Sequence, residues 1–188
     1  MDTSALVQAC IAGDRAAQQE LFRAYREGVL RLVWRLLGGR CADDIEDAIQ
    51  EVYVAFFRSL PSWRGACSLE TWLCRVGTRV CMTQLRRRYR RSERVALRAS
   101  PQVLAAVADA ADSPQVQAES AEAAAQVHAA LERLAPERRT ALVLYEMEGR
   151  SLEEIAAAMG SSVGTVKSRL FRGRRELAAL LATGVGRE

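Results

Sequence analysis

The amino-acid sequence predicts an all-α protein made of two small helical domains that are joined by a flexible linker. Aromatic residues account for only 6% of the 188 residues and alanine is abundant, a composition that favours helices over a β-sandwich or barrel. Apolar residues recur at helical spacing in both halves of the chain. Between the halves, residues 99–126 are rich in Ala, Ser, Pro, Gln and acids and contain no basic residue.

The same observations set the expected domain boundaries. The first domain is predicted over residues 1–98, the linker over 99–126 and the second domain over 127–188. About four helices are expected in the first domain, with breaks at 38–39 and 60–65, where glycine and proline interrupt the apolar pattern. Four further helices are expected in the second domain.

The basic residues are almost all arginine, with Lys167 the only lysine, and the net charge is +4. Arginine binds phosphates and base edges through two parallel hydrogen bonds, so this excess fits a polyanionic partner. A GC-rich genome would produce the same ratio of arginine to lysine, but it would not explain why the arginines cluster. No stretch of about 20 apolar residues and no export signal is present, so we expect a cytoplasmic protein that does not insert into a membrane.

Three of the five cysteines, Cys67, Cys74 and Cys81, recur every seven residues. Seven helical residues span about 10.5 Å, whereas zinc holds each thiolate at about 2.3 Å, so neighbours in this series cannot share an ion. His128 is the only histidine and has no recognisable nucleophile beside it. We expect reduced thiols, no metal, no cofactor, no catalytic residue and no small-molecule substrate. A thiol-based redox sensor or enzyme remains an alternative.

The second domain contains a predicted helix-turn-helix. Ser151 is followed three residues later by Glu154, a pairing that caps a helix start. That helix should end at Gly160, where the missing Cβ permits a left-handed turn, and a serine can then cap a second helix from Val163. This order of cap, helix, glycine turn and helix is typical of the motif.

The second helix of this motif is amphipathic, with Val166 and Leu170 on the side of Val163 and a polar, cationic far side. Arginine pairs with guanine edges, serine and threonine contact bases, and basic groups hold phosphates, so this face suits the major groove. A helical hairpin with a solvated charged face is the plainer alternative. The predicted recognition face consists of Thr165, Lys167, Ser168, Arg169 and Arg172.

Four segments of the second domain resemble region 4 of the extracytoplasmic-function (ECF) sigma factors. They are LERLAPERR at 131–139, YEMEG at 145–149, EIAAAMG at 154–160 and GTVKSRLFRGR at 164–174. The resemblance implies that this domain binds the minus-thirty-five promoter element and touches the flap of RNA polymerase.

In the first domain, residues 44–57 form an amphipathic helix with a core stripe on one side and acids on the other. Val54 and Phe57 lie among the acids, which favours a protein-docking surface over a solvated face. The segment IEDAIQEVY at 45–53 resembles region 2.2 of the same family, which implies binding to the coiled coil of the polymerase clamp. The predicted docking face consists of Glu46, Asp47, Gln50, Glu51 and Val54.

The next predicted helix begins at Leu69 and carries an arginine stripe about 60° wide, which can follow a phosphate backbone. The stripe consists of Arg75, Arg79, Arg86 and Arg90, and Arg87 thickens its end. The loop at 59–68 resembles the family loop that captures a flipped minus-ten base, while Trp72 matches the family's Trp-Leu pair and is expected in the core. The family usually has Asn and Asp where this chain has Arg79 and Thr83. The resemblance therefore does not predict which minus-ten sequence this chain reads. The predicted minus-ten residues are Trp63, Arg64, Arg75, Arg79, Arg86, Arg87 and Arg90.

The resemblance covers nearly the whole chain except the linker. It implies a subunit that binds core RNA polymerase, directs promoter-specific initiation and is controlled by an anti-sigma protein. The alternative is a stand-alone helix-turn-helix regulator, which usually dimerises to place two recognition helices one turn of DNA apart.

Overall fold

A computed structural model describes residues 3–38, 42–96 and 115–184, and these contain helices and turns but no strand. This confirms the all-α prediction. The part of the linker at 99–114 lies outside the described residues, and the rest of the predicted linker belongs to a helix. The helices are α1 (Thr3–Ile11), α2 (Arg15–Leu37), α3 (Ala42–Ser59), α4 (Leu69–Ala96), α5 (Gln115–Arg133), α6 (Pro136–Leu142), α7 (Leu152–Met159) and α8 (Val163–Gly184), with a 3-10 turn at Leu60–Ser62 and a π turn at Val143–Met147.

Helices α1 to α4 form an N-terminal unit. The Asp14 side chain caps α2 by accepting a hydrogen bond from the backbone N–H of Ala16 at 2.8 Å. Helix α2 ends at Leu37 and is followed by Gly38, whose φ of 75° suits glycine. Val52 and Phe56 of α3 are fully buried in the core of this unit. The predicted break at 60–65 is confirmed, because a 3-10 turn at Leu60–Ser62 and a loop separate α3 from α4. Of the predicted break at 38–39, Gly38 follows the end of α2 and residue 39 lies outside the described residues.

Helices α2 and α4 approach closely at Gly77. A Cβ atom at this position would lie 3.1 Å from Cδ2 of Leu32, so the absence of a side chain lets the two helices pack face to face.

Helices α5 to α8 form a C-terminal unit that contains the predicted helix-turn-helix. The Ser151 Oγ accepts from the backbone N–H of Glu154 at 3.1 Å, while the Glu154 carboxylate accepts from the backbone N–H of Ser151 at 2.9 Å. Gly160 is left-handed, with φ 60° and ψ 43°. Val166 and Leu170, on the inward side of α8, are buried. The capping box, the turn and the inward side of α8 are all confirmed.

The N-terminal and C-terminal units pack against each other. Helix α4 lies along α6 and α7, and the buried apolar residues of the two units form one continuous cluster. The sequence did not predict this contact. Among the described helices, none is both long and apolar enough to cross a membrane.

Candidate nucleic-acid and polymerase interfaces

The recognition face is presented to solvent along α8. Thr165, Lys167, Ser168 and Arg172 are exposed. Arg169 is half-buried, and its Nη1 donates to the Ser161 Oγ at 3.1 Å. From Thr165 to Arg172 the helix rises about 10.5 Å, which is about three base steps of 3.4 Å. The face is therefore long enough to contact several consecutive base pairs.

Two arginines beyond this face have partners inside the protein. Arg174 pairs with Glu146 at 2.6 Å and lies 5.4 Å above the ring of Tyr145. Arg175 lies 5.8 Å above the ring of Phe171. Phe171 is 63% exposed beside Arg172. Its exposure could not be predicted from the sequence, because a helical pattern alone does not show which apolar side chain stays uncovered.

The docking face on α3 is also open. Glu46, Asp47, Gln50 and Glu51 are all exposed, and Val54 is 49% exposed among them. The Glu51 carboxylate accepts a hydrogen bond at 2.9 Å from Gln84 of α4, which fixes one edge of the face.

A group of aromatic rings lies along α3, and the sequence alone did not indicate that Phe22 belongs to it. Phe22 of α2 is 37% exposed, and its ring lies 4.5 Å from the ring of Tyr53, which is 6.2 Å from that of Phe57. Burial raises the pKa of Tyr53 to about 12, so its hydroxyl stays protonated and donates to the backbone carbonyl of Phe22 at 3.2 Å. Only the packing of α2 on α3 brings Phe22 to this place.

Two arginines of the α4 stripe reach partners in the C-terminal unit although their side chains are exposed. Arg79 donates from Nη2 to the backbone carbonyl of Ala157 in α7 at 3.5 Å, and Arg86 donates from Nε to the Glu137 carboxylate in α6 at 2.8 Å. Arg87 and Arg90 are exposed.

At the start of α4, aromatic side chains hold the neighbouring loop. Trp63 is half-buried and its Nε1 donates to the backbone carbonyl of Cys67 at 3.0 Å, whereas Arg64 is exposed. Trp72 packs at the edge of the core, where its Nε1 donates to the Ser59 Oγ at 2.8 Å. Arg75 lies 5.4 Å above the Trp72 ring. The predicted loop residues thus adjoin the stripe.

The four cysteines that the structure describes do not gather into a reactive site. Cys10, Cys67, Cys74 and Cys81 are free, while Cys41 lies outside the described residues. Burial raises the pKa of Cys74, and it raises that of Cys81 to about 12, which disfavours the nucleophilic thiolate. In the described ranges, no group of three or more His, Cys, Asp and Glu side chains could hold a metal ion.

Comparison with known protein families identifies both units. Residues 21–91 match Sigma-70 region 2, and residues 124–177 match Sigma-70 region 4. The first match includes the docking face and the arginine stripe, and the second includes the recognition face.

Known proteins match over most of the chain. The ECF RNA polymerase sigma factor SigE of Mycolicibacterium smegmatis is 37% identical over 173 residues, which are 90% of this chain and 65% of the relative. SigM of Mycobacterium tuberculosis is 36% identical over 185 residues, which are 96% of this chain and 86% of the relative. The ECF RNA polymerase sigma-E factor of Escherichia coli is 33% identical over 175 residues, which are 92% of this chain and 90% of the relative.

Solved structures share the fold. CnrH, in complex with the cytosolic domain of CnrY, superposes with a TM-score of 0.61 at 24% identity, covering 95% of this chain and 96% of CnrH. The sigma factor RpoE of Bartonella quintana, in complex with the anti-sigma factor NepR, superposes with a TM-score of 0.59 at 23% identity. The superposition covers 87% of this chain and 96% of RpoE. With both regions matched and relatives similar over nearly the full chain, the protein belongs to the ECF RNA polymerase sigma factor family.

Proposed function

We propose that this chain binds core RNA polymerase through the docking face of α3 and directs it to promoters through α4 and α8. The observation that carries the proposal is the exposed mixture of acids and Val54 on α3, in a chain that also presents a recognition helix. A protein that only read DNA would have no use for an uncovered acidic and apolar face, because acids repel the DNA backbone.

The recognition face is proposed to read the minus-thirty-five element. Arg172 has the exposure and reach to form two hydrogen bonds with a guanine edge, while Thr165 and Ser168 can contact bases or phosphates. Lys167 is a point charge suited to a phosphate. Arg169 starts from a position held by Ser161, which orients its guanidinium group before DNA arrives.

The α4 stripe and the adjoining loop are proposed to hold the minus-ten strand. Arg75, Arg79, Arg86, Arg87 and Arg90 supply phosphate contacts along one helix, and Trp63 and Arg64 supply a stacking and hydrogen-bonding edge for an unstacked base.

The boundaries 1–98, 99–126 and 127–188 remain the proposed division into domains. Helix α5 begins at Gln115, so the second unit starts inside the proposed linker.

The chain contributes binding, and bond formation is left to the polymerase core. We therefore infer that it is not an enzyme and that it acts in the cytoplasm, where the polymerase transcribes. A protein inhibitor of the anti-sigma class is the proposed regulatory partner, because the fold is shared with RpoE, which was solved with the anti-sigma factor NepR.

Affinity for core polymerase tests the proposal directly. Purified chain and core enzyme should form a complex and produce promoter-dependent transcripts from genomic fragments. Asp47→Arg should abolish binding to core polymerase, because it puts a cation on an acidic docking face. The matched control is Glu153→Arg, which makes the same charge change at an exposed position of α7. Normal polymerase affinity of Asp47→Arg would refute the docking assignment.

The same measurement separates this proposal from the stand-alone regulator. Such a regulator should be a dimer that binds duplex DNA and does not bind core polymerase. A monomer that forms a complex with core polymerase contradicts it.

A further inference from the structure

Arg79 is held only weakly by the folded chain, although its neighbours in the arginine stripe have partners. Arg75 lies 5.4 Å above the Trp72 ring, and Arg86 pairs with Glu137 at 2.8 Å. The Arg79 side chain is exposed, and its Nη2 donates to a backbone carbonyl of α7 at 3.5 Å, which is longer than the usual range of about 2.7–3.2 Å. A better-placed acceptor can therefore replace this contact at little cost.

Thr83, one helical turn after Arg79, brings no negative charge to this guanidinium group. Its Oγ1 donates to the backbone carbonyl of Arg79 at 2.9 Å, so the hydroxyl is turned back onto the helix. These two residues stand where the family has Asn and Asp, and an aspartate four positions after an arginine lies within reach of an ion pair. Among the residues that the structure describes, no acid pairs with Arg79. Its charge is therefore available to a partner outside the chain.

The surroundings of Arg79 differ from those of the arginines near the end of α4. Residues 86–91 contain five arginines, whereas Arg79 is the only basic residue between positions 76 and 85. Val76 and Val80 lie beside it on the helix surface and are half-buried. A dense group of cations suits the repeating charge of a phosphate backbone. A single guanidinium group among apolar and hydroxyl side chains suits the edge of one base, where hydrogen bonds and apolar contacts combine.

The shape of the guanidinium group selects among the bases. Its parallel N–H donors match the O6 and N7 acceptors of guanine, which lie side by side on one edge. Adenine has an amino group in place of O6, which would face the arginine donors, and thymine offers only O4. The O6 and N7 edge of guanine is accessible in a base pair as well as in an unpaired base, so the same contact serves duplex and melted DNA.

We propose that Arg79 is a specificity-determining residue that reads the O6 and N7 edge of one guanine in the minus-ten region, besides contributing its charge to the stripe. Thr83 permits this reading because it leaves the guanidinium group without an ion pair. The proposal deepens the proposed function and rests on its assignment of α4 to the minus-ten strand. An asparagine at position 79 would instead suit adenine, whose N6 and N7 match a side-chain amide.

The experiment uses the full-length chain bound to core RNA polymerase. A promoter that supports transcription is taken from the genomic fragments, its minus-ten region is randomised, and each fragment carries a downstream barcode that the transcript copies. Sequencing the barcodes gives the base preference at every randomised position. We expect the wild type to favour guanine at one position by roughly 5-fold to 150-fold, the range for one bidentate pair.

Substitutions at positions 79 and 83 should change that preference in different ways. Arg79→Asn should abolish the preference for guanine and favour adenine at the same position. Thr83→Asp should reduce the preference for guanine while the arginine is still present, because the new carboxylate pairs with Arg79. Its control is Thr83→Val, which removes the hydroxyl, adds no charge and should leave the preference unchanged. Both positions are exposed, so these variants should remain folded.

The control for position 79 is Arg87→Asn, which makes the same charge change at an exposed position of the same helix. It should lower transcription from all fragments evenly and leave each base preference as it was. The same even loss with Arg79→Asn would show that Arg79 contacts only phosphate and would overturn the proposal. A preference for guanine that survives Arg79→Asn, or a wild type without one, would overturn it as well.

Failure of the proposed function gives a different result. A chain that forms no complex with core polymerase, or that yields no promoter-dependent transcript, contradicts the proposed function, and this proposal fails with it. A polymerase complex that transcribes with base preferences independent of position 79 contradicts only the reading of guanine by Arg79.

Discussion

Replacing Arg172 by alanine tests whether α8 reads bases or only holds the DNA backbone. Arg172 is exposed, and within the described part of the chain no acid is paired with it. Its removal therefore breaks no interaction inside the folded protein, and the free energy of unfolding should change by no more than about 0.5 kcal/mol. Any loss of DNA affinity then reports a contact with DNA itself.

The size of that loss depends on what the guanidinium group touches. Two hydrogen bonds to one guanine edge contribute about 1–3 kcal/mol of discrimination, which corresponds to roughly 5-fold to 150-fold weaker binding of the preferred duplex. A phosphate contact would instead weaken binding to every duplex and lower the slope of log affinity against log salt by about 0.9.

The assay is fluorescence anisotropy with a duplex selected from a random pool by the wild-type chain and with a scrambled duplex of the same composition. We expect Arg172→Ala to lose affinity for the selected duplex only. Arg174→Ala is the matched control, because Glu146 already engages Arg174 at 2.6 Å, and it should leave sequence preference unchanged. Equal weakening of both duplexes by Arg172→Ala would refute base reading by this residue.

Three further predictions concern stability and pH. Phe56→Ala should lower the free energy of unfolding by about 3–5 kcal/mol, since Phe56 is fully buried; a loss below about 1 kcal/mol in urea titrations would contradict its place in the core. Ser151→Ala should cost about 1 kcal/mol by removing the cap of α7, while Ser151→Asp, which keeps an acceptor, should cost less. Burial, followed by the charge of Arg139, lowers the pKa of His128 below its usual 6.5, so between that lowered value and 6.5 the unfolded chain binds more protons and stability falls with falling pH. His128→Gln should remove this component of the pH dependence in urea titrations at about pH 7.5 and about pH 5.5, and an unchanged pH slope would count against it.

Local physical rules explain why much of the fold could be predicted from the sequence. The Ser151 cap, the left-handed turn at Gly160 and the inward placement of Val166 each depend on residues no more than a few positions apart. The acidic side of α3 follows from the same helical period.

Contacts between distant segments could not be predicted in this way. The Phe22 ring reaches Tyr53 only because α2 and α3 pack together, and the Trp34 ring contacts His128 only because the tertiary fold brings this part of α5 to α2. The π turn at Val143–Met147 likewise has no local signal that the helical period would reveal.

The sequence by itself determined the helices, their caps, the faces that carry acids and arginines, and the family resemblance, because these depend on residue types at short, regular spacing. Only the tertiary structure decided which of those faces are open. Arg86 and Arg90 share one stripe and both are exposed, yet Arg86 also pairs with Glu137 of the other unit. Such pairing is set by how α4 packs on α6 and α7, and long-range packing depends on the shape of the whole chain, which no local pattern contains.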